Sequence, residues 1–140
     1  MSSRLTALFF FLEAIVISAI VRFTLSFLSP TIRLRWMGKA VEFIDEDGEV
    51  SLVNKQAAAR VKLAVTRVDR YMPWGTECYT QALTAKLMLG KRKVSTLLVV
   101  GFRKDEAGEI QGHAWLKIGP YYITGFRHDI DTYVINGRFE

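Results

Sequence analysis

The stretch Pro73-Trp74-Gly75-Thr76-Glu77-Cys78 decides how the rest of this 140-residue chain is read. Trp74-Gly75 is a turn, and Thr76 is a residue type that caps helix starts. The run ECYTQALTAKLML (77–89) is rich in helix formers and ends at Gly90, which suits the residue just past a helix. With Thr76 as the cap, Cys78 is the second helical residue. Its thiol then faces the positive end of the helix dipole, where free backbone N–H groups favour the thiolate. The same N–H groups suit a developing oxyanion. Cys78 is the chain's one cysteine. Taken alone, an ordinary buried thiol is an equally good reading of it.

Working outward, the next informative stretch is Gly112-His113-Ala114-Trp115, with His113 lying 35 positions after the cysteine. Residues 110–118 (IQGHAWLKI) alternate, placing Gln111, His113, Trp115 and Lys117 on one face of a strand. Gly112 and Ala114 are small enough to let another element approach the histidine. Before this strand, 93–102 (KVSTLLVVGF) reads as a central strand, apolar on both faces. After it, Gly119-Pro120 turns the chain, 121–125 (YYITG) returns antiparallel, and 132–136 (TYVIN) adds a further strand. Upstream of Pro73, Ala58, Val61, Val65, Val68 and Met72 fall at helical spacing, with Asn54 as the expected cap. Helices first and an antiparallel sheet last predict an α+β fold.

Residues 5–28 are almost wholly apolar, interrupted by Glu13 and Arg22. The run is long enough to span a bilayer, which takes about 20 residues, but a charge at the bilayer centre costs about 2.5–3.5 kcal/mol. Three readings follow: a helix packed on the domain or lying at a membrane interface, an anchor, and a secretory signal. Three basic residues within 31–39 flank it. The acidic cluster Asp45, Glu46, Asp47 and Glu49 surrounds an Asp-Gly turn and lacks calcium-loop spacing. The net charge of +5 is scattered, without the basic-aromatic interleaving of a nucleic-acid track. One cysteine needs no oxidising compartment, so a cytoplasmic location, at or near the inner face of the membrane, is expected. There is no CxxC, no HExxH and no clustered His/Asp set, so neither metal nor cofactor is expected.

The series Pro73-Trp74, Cys78, Gln81-Ala82-Leu83, Met88-Leu89, Leu98-Val99-Val100-Gly101, Gly112-His113-Ala114-Trp115-Leu116, Ile123-Thr124-Gly125 and Tyr133-Val134 resembles the B2 proteins of lasso-peptide biosynthesis. These are transglutaminase-like cysteine peptidases, and the apolar N-terminus followed by a basic stretch is similar too. The resemblance implies a papain/transglutaminase-like core over 40–140, with the nucleophile helix on a small antiparallel sheet. An apolar helix and basic linker precede it over 1–39. The implied activity is removal of the leader from a ribosomally made precursor peptide before an ATP-dependent cyclase closes the macrolactam. A separate B1-type leader-recognition protein would be the partner, since the chain leaves no room for that domain beside the peptidase. The cyclase, and a membrane surface met through residues 5–28, are further expected contacts. Cys78 matches the family's nucleophile and His113 its base and acid, with Trp74 and Trp115 expected to border substrate. The third member departs from the pattern: Thr124 or Gly125 falls opposite His113, where the superfamily has an aspartate. Asp129 is the favoured substitute, with Asp131, Asn136 or a carbonyl as others. The missing acid keeps a second reading alive, a catalytically silent, membrane-associated peptide-binding module.

Overall fold

The computed structural model describes residues 3–27, 38–41, 49–72 and 77–140. Among these residues, three helices precede a four-stranded sheet: α1 (Ser3–Phe27), α2 (Leu52–Tyr71), α3 (Cys78–Lys91), then β1 (Leu97–Lys104), β2 (Ile110–Ile118), β3 (Tyr121–Thr124) and β4 (Val134–Phe139). A single 3-10 turn, Ile130–Thr132, leads into β4. All pairings are antiparallel, in the order β3-β2-β1-β4. The α+β expectation holds.

α2 starts three residues earlier than the Asn54 cap predicts. Ser51 caps it, its hydroxyl accepting from the Asn54 N–H at 3.2 Å, so Asn54 is inside the helix instead of capping it. Its apolar stripe, Ala58, Val61, Ala64, Val65 and Val68, is buried. α3 runs past Gly90. Its end is closed by Val94 N–H on the Leu89 carbonyl and Lys93 N–H on Gly90, with Lys93 at φ 60° in the left-handed position expected of the glycine.

The sheet is covered on both faces. On one side Leu98, Ala114, Leu116 and Ile118 meet Leu83, Met88 and Leu89 of α3 and the stripe of α2. α1 adds Phe10, Ala14 and Val21 to this core, packing across α2 and α3. On the other side Leu97, Val99 and Trp115 lie under Ile130 and Tyr133. The alternation read from 110–118 therefore sends His113 and Trp115 to the second face and Ala114 to the helical one.

α1 is long and apolar enough to cross a membrane by length and composition. It nevertheless carries one face on the domain. Phe10, Ala14, Ser18 and Val21 are buried, and Glu13 turns inward to a two-pronged pair with Arg92, both N–O distances being 2.7 Å.

Candidate active site

Two features of the fold bring Cys78 and His113 together. First, β3 pairs only with Leu116–Ile118, so β2 from Ala114 backward has an edge that β3 does not bond. Second, α3 begins at that edge. Glu77 is its N-cap residue and Cys78 its first helical residue, one position earlier in the helix than the Thr76 cap predicts. Thr76 and Trp74 lie outside the described residues. The backbone ladder at the start of α3 includes the bond from Gln81 N–H to the Glu77 carbonyl, and the N–H groups of a helix's first turn stand outside that ladder.

The half-buried thiol of Cys78 is hydrogen-bonded to His113 and takes backbone hydrogen bonds at Ala114 and Tyr79. Burial pushes its pKa up. The His113 hydrogen bond, the backbone bonds and the imidazole's charge outweigh burial and hold it below the usual thiol value. The reciprocal effect appears on His113, raised chiefly by the Cys78 hydrogen bond, against burial, and helped by Gly125. The two shifts run in the direction that favours a thiolate-imidazolium pair.

The imidazole is held from three directions. Its Nε2 lies 2.7 Å from the Gly125 carbonyl oxygen. A carbonyl only accepts, so Nε2 carries the proton and Nδ1 is the nitrogen left for the thiol. Its faces rest on Trp115, 5.8 Å between centroids and 29° between planes, and Tyr133, 5.3 Å and 33°. Trp115 is 5 % exposed, and its ring packs against the histidine.

Asp129 has other partners than the imidazole. Its carboxylate accepts from Arg103 Nη1 at 2.6 Å and Arg127 Nε at 2.9 Å. These two guanidinium groups hold its carboxyl well below the usual carboxylate range. Both oxygens of Asp129, the residue expected as third catalytic member, are thus bonded to arginines. The clamp has an indirect link to the site. Arg103 also donates to Thr132 Oγ1 at 3.1 Å and lies 4.8 Å from the Tyr133 ring, which in turn rests on His113.

The carbonyl that replaces the acid comes from the position where the sequence places the opposite strand. Gly125 sits at φ 78° just past β3, where it crosses the open edge of β2. A Cβ there would lie 2.5 Å from the Ala114 oxygen and 2.8 Å from Trp115 Cβ, so only glycine lets the chain come this close. The role falls to a backbone atom, which no residue type announces. The available signal was a glycine immediately after a strand, opposite the histidine.

Such a site can carry nucleophilic acyl chemistry: a thiol with a lowered pKa, an adjacent proton carrier and the backbone N–H groups of a helix start. Among the described residues no cluster of His, Cys, Asp and Glu could hold a metal. A family model described as transglutaminase-like superfamily matches residues 22–136. No curated protein and no solved structure matched. The match takes in most of the chain, with α3, the GHAW strand and the glycine that meets it all inside: the chain belongs to the transglutaminase-like superfamily.

Proposed function

We propose that this chain is a cysteine-type leader peptidase, a hydrolase that removes the leader from a ribosomally made lasso precursor before macrolactam closure. The observation that carries the peptidase reading is the double engagement of one imidazole, with the Cys78 thiol on one nitrogen and the Gly125 carbonyl on the other. The lasso-specific part rests on the motif series around Cys78, His113 and Gly125.

In this reading His113 takes the thiol proton and Cys78 attacks the scissile carbonyl. The N–H groups of the first turn of α3 receive the oxyanion. His113 then returns the proton to the departing core amine, leaving a thioester between leader and Cys78. Water, deprotonated by His113, releases the leader. Asp129 acts as a positioning residue for the loop that carries Gly125. Trp74 is assigned to substrate contact on the motif series alone. A separate B1-type protein presents the leader, and the core passes to the ATP-dependent cyclase, both in the cytoplasm.

The catalytically silent alternative draws on the absence of a carboxylate from His113. The carbonyl answers it, since it fixes the same tautomer and ring orientation that an acid would. The test is cleavage of a leader-bearing precursor in the presence of its recognition protein. Cys78→Ala should abolish cleavage while retaining the partner, and His113→Ala should lose about 10³-fold. Cleavage at the wild-type rate by Cys78→Ala would sink the proposal.

A further inference from the structure

α1 presents a second surface that the active site does not use. Its outward face carries Leu5, Leu12, Val16, Ile20, Phe23 and Phe27, each at least half exposed. The stripe runs roughly 33 Å at 1.5 Å per residue. This length of continuous apolar surface exceeds what a soluble surface normally leaves open. Both charges that break the run in the sequence lie off it. Glu13 is turned into the domain on Arg92, and Arg22 reaches sideways to Glu77 at 3.5 Å.

We propose that α1 lies in the plane of an anionic bilayer, its outer face in the acyl region and its inner face still bound to the domain. Three independent observations select lipid over a protein partner. First, protein interfaces carry about one hydrogen bond per 100–200 Å², whereas this stripe offers no hydrogen-bonding side chain. Second, exposed hydroxyls of α1 are bonded to its own backbone: Thr24 to the Ile20 carbonyl at 2.6 Å and Ser26 to the Arg22 carbonyl at 3.0 Å. That internal satisfaction is what hydrocarbon demands. Third, the positive charge is on the helical layer. α2 has Lys55, Arg60, Lys62, Arg67 and Arg70 against Asp69, while residues 93–140 hold six basic and six acidic side chains.

Basic side chains also adjoin α1. Arg60 lies over the Phe10 ring, and Lys86 and Lys91 border an apolar groove with Ile17 and Ile20. Basic groups beside an in-plane helix meet lipid phosphates. An in-plane helix, unlike a spanning one, keeps the Glu13–Arg92 pair and the buried contacts of Phe10, Ala14 and Val21. It also sets the active site at the surface, because the Arg22–Glu77 pair joins the last turns of α1 to the residue before Cys78.

Flotation of the full chain with vesicles tests this without reference to peptidase activity. Vesicles of phosphatidylcholine mixed with phosphatidylglycerol should carry the protein, with affinity about tenfold above pure phosphatidylcholine and falling with salt. The double variant V16E/F23E should lose flotation while its thermal unfolding and Cys78 alkylation rate stay at wild type. Three results overturn the proposal. One is equal binding to both vesicle types. Another is retention on the vesicles after alkaline carbonate, which marks a spanning helix. The third is no flotation by a wild-type chain that sediments as a dimer and is made monomeric by V16E/F23E, which marks a second copy as the occupant.

Discussion

The His113 ring is oriented by the Gly125 carbonyl, with Nε2 and the oxygen 2.7 Å apart. The bond depends on how closely the chain after β3 approaches β2, and that approach depends on the absence of a side chain at position 125. Gly125→Ala puts a Cβ against the Ala114 oxygen and the Trp115 backbone at a positive φ. The backbone must shift, and strain of about 1–3 kcal/mol is expected. The carbonyl moves with it. Cleavage should fall about a hundredfold, the scale of a misplacement near 1 Å. Steady-state kinetics alongside urea unfolding separates the two effects. Loss of stability with an unchanged kcat would show that the carbonyl has no part in orienting the ring.

The opposed shifts of Cys78 and His113 give a pH profile with a definite sign. Cys78 is held below the usual thiol value, so thiolate persists as pH falls until that lowered pKa is crossed. His113 is held above its usual value, so the imidazolium persists as pH rises until the raised pKa is crossed. Both shifts act in the direction that favours the thiolate-imidazolium pair over the neutral thiol and imidazole. Alkylation by iodoacetamide, followed against pH, should proceed well below the free-thiol pKa of about 8.5. In His113→Gln the chief lowering contact on the thiol is gone and burial is left opposing it, so the alkylation midpoint should move upward. An unmoved midpoint would leave the thiol without an activating partner.

Asp129 offers a contrast between an acid that orients an imidazole and one that clamps a loop. Removing the orienting acid of a triad costs about 10⁴-fold in kcat. Asp129 is bonded to Arg103 and Arg127, so Asp129→Asn should weaken the clamp and lower activity far less than that. The pH midpoint for Cys78 alkylation should stay in place, because the bonds of His113 to Gly125 and Cys78 remain. A loss near 10⁴-fold with a shifted midpoint would return Asp129 to the triad. The lowered pKa also has a stability sign. A carboxyl depressed in the folded state stabilises above its unfolded pKa of about 3.9 and loses that contribution only as pH falls through the lower folded value. The loop should hold through mildly acidic conditions.

The parts of the site that residue types announce were legible in the sequence. β2 occupies the predicted 110–118, and its alternation places His113 and Trp115 on one face. The helix that presents Cys78 follows from its composition, although its cap and end are each displaced, since Lys93 adopts the left-handed conformation in place of Gly90. The third element of the site was not legible because it is a carbonyl, supplied by whichever residue the chain path brings there. The sequence places Gly125 opposite the histidine but ranks it by its side chain, and it has none. Asp129 drew attention for the converse reason. Its type suits the role, while Arg103 and Arg127, 26 and 2 positions away, bond both of its oxygens. Glu13 shows the same limit on α1. In a linear reading it interrupts an apolar run, and only the fold brings Arg92, 79 positions on, to its carboxylate.

That pair supports a last prediction. The Glu13 side chain is 8 % exposed and takes two bonds from Arg92, with Lys91 at 3.8 Å. Arg92 also donates to the Met88 carbonyl at 2.9 Å and lies 4.3 Å from the Phe10 ring, so it joins α1 to the end of α3 at several points. Arg92→Leu strands a buried carboxylate with one exposed lysine nearby, which should cost about 3 kcal/mol, the low end of the range for a broken buried pair. The double variant E13Q/R92L removes the stranded charge and should recover part of that loss, since a buried pair contributes little beyond cancelling its own desolvation. Urea unfolding of the wild type, both single variants and the double variant measures the coupling directly. Additive losses across the four proteins would mean that the pair does not bind α1 to the domain.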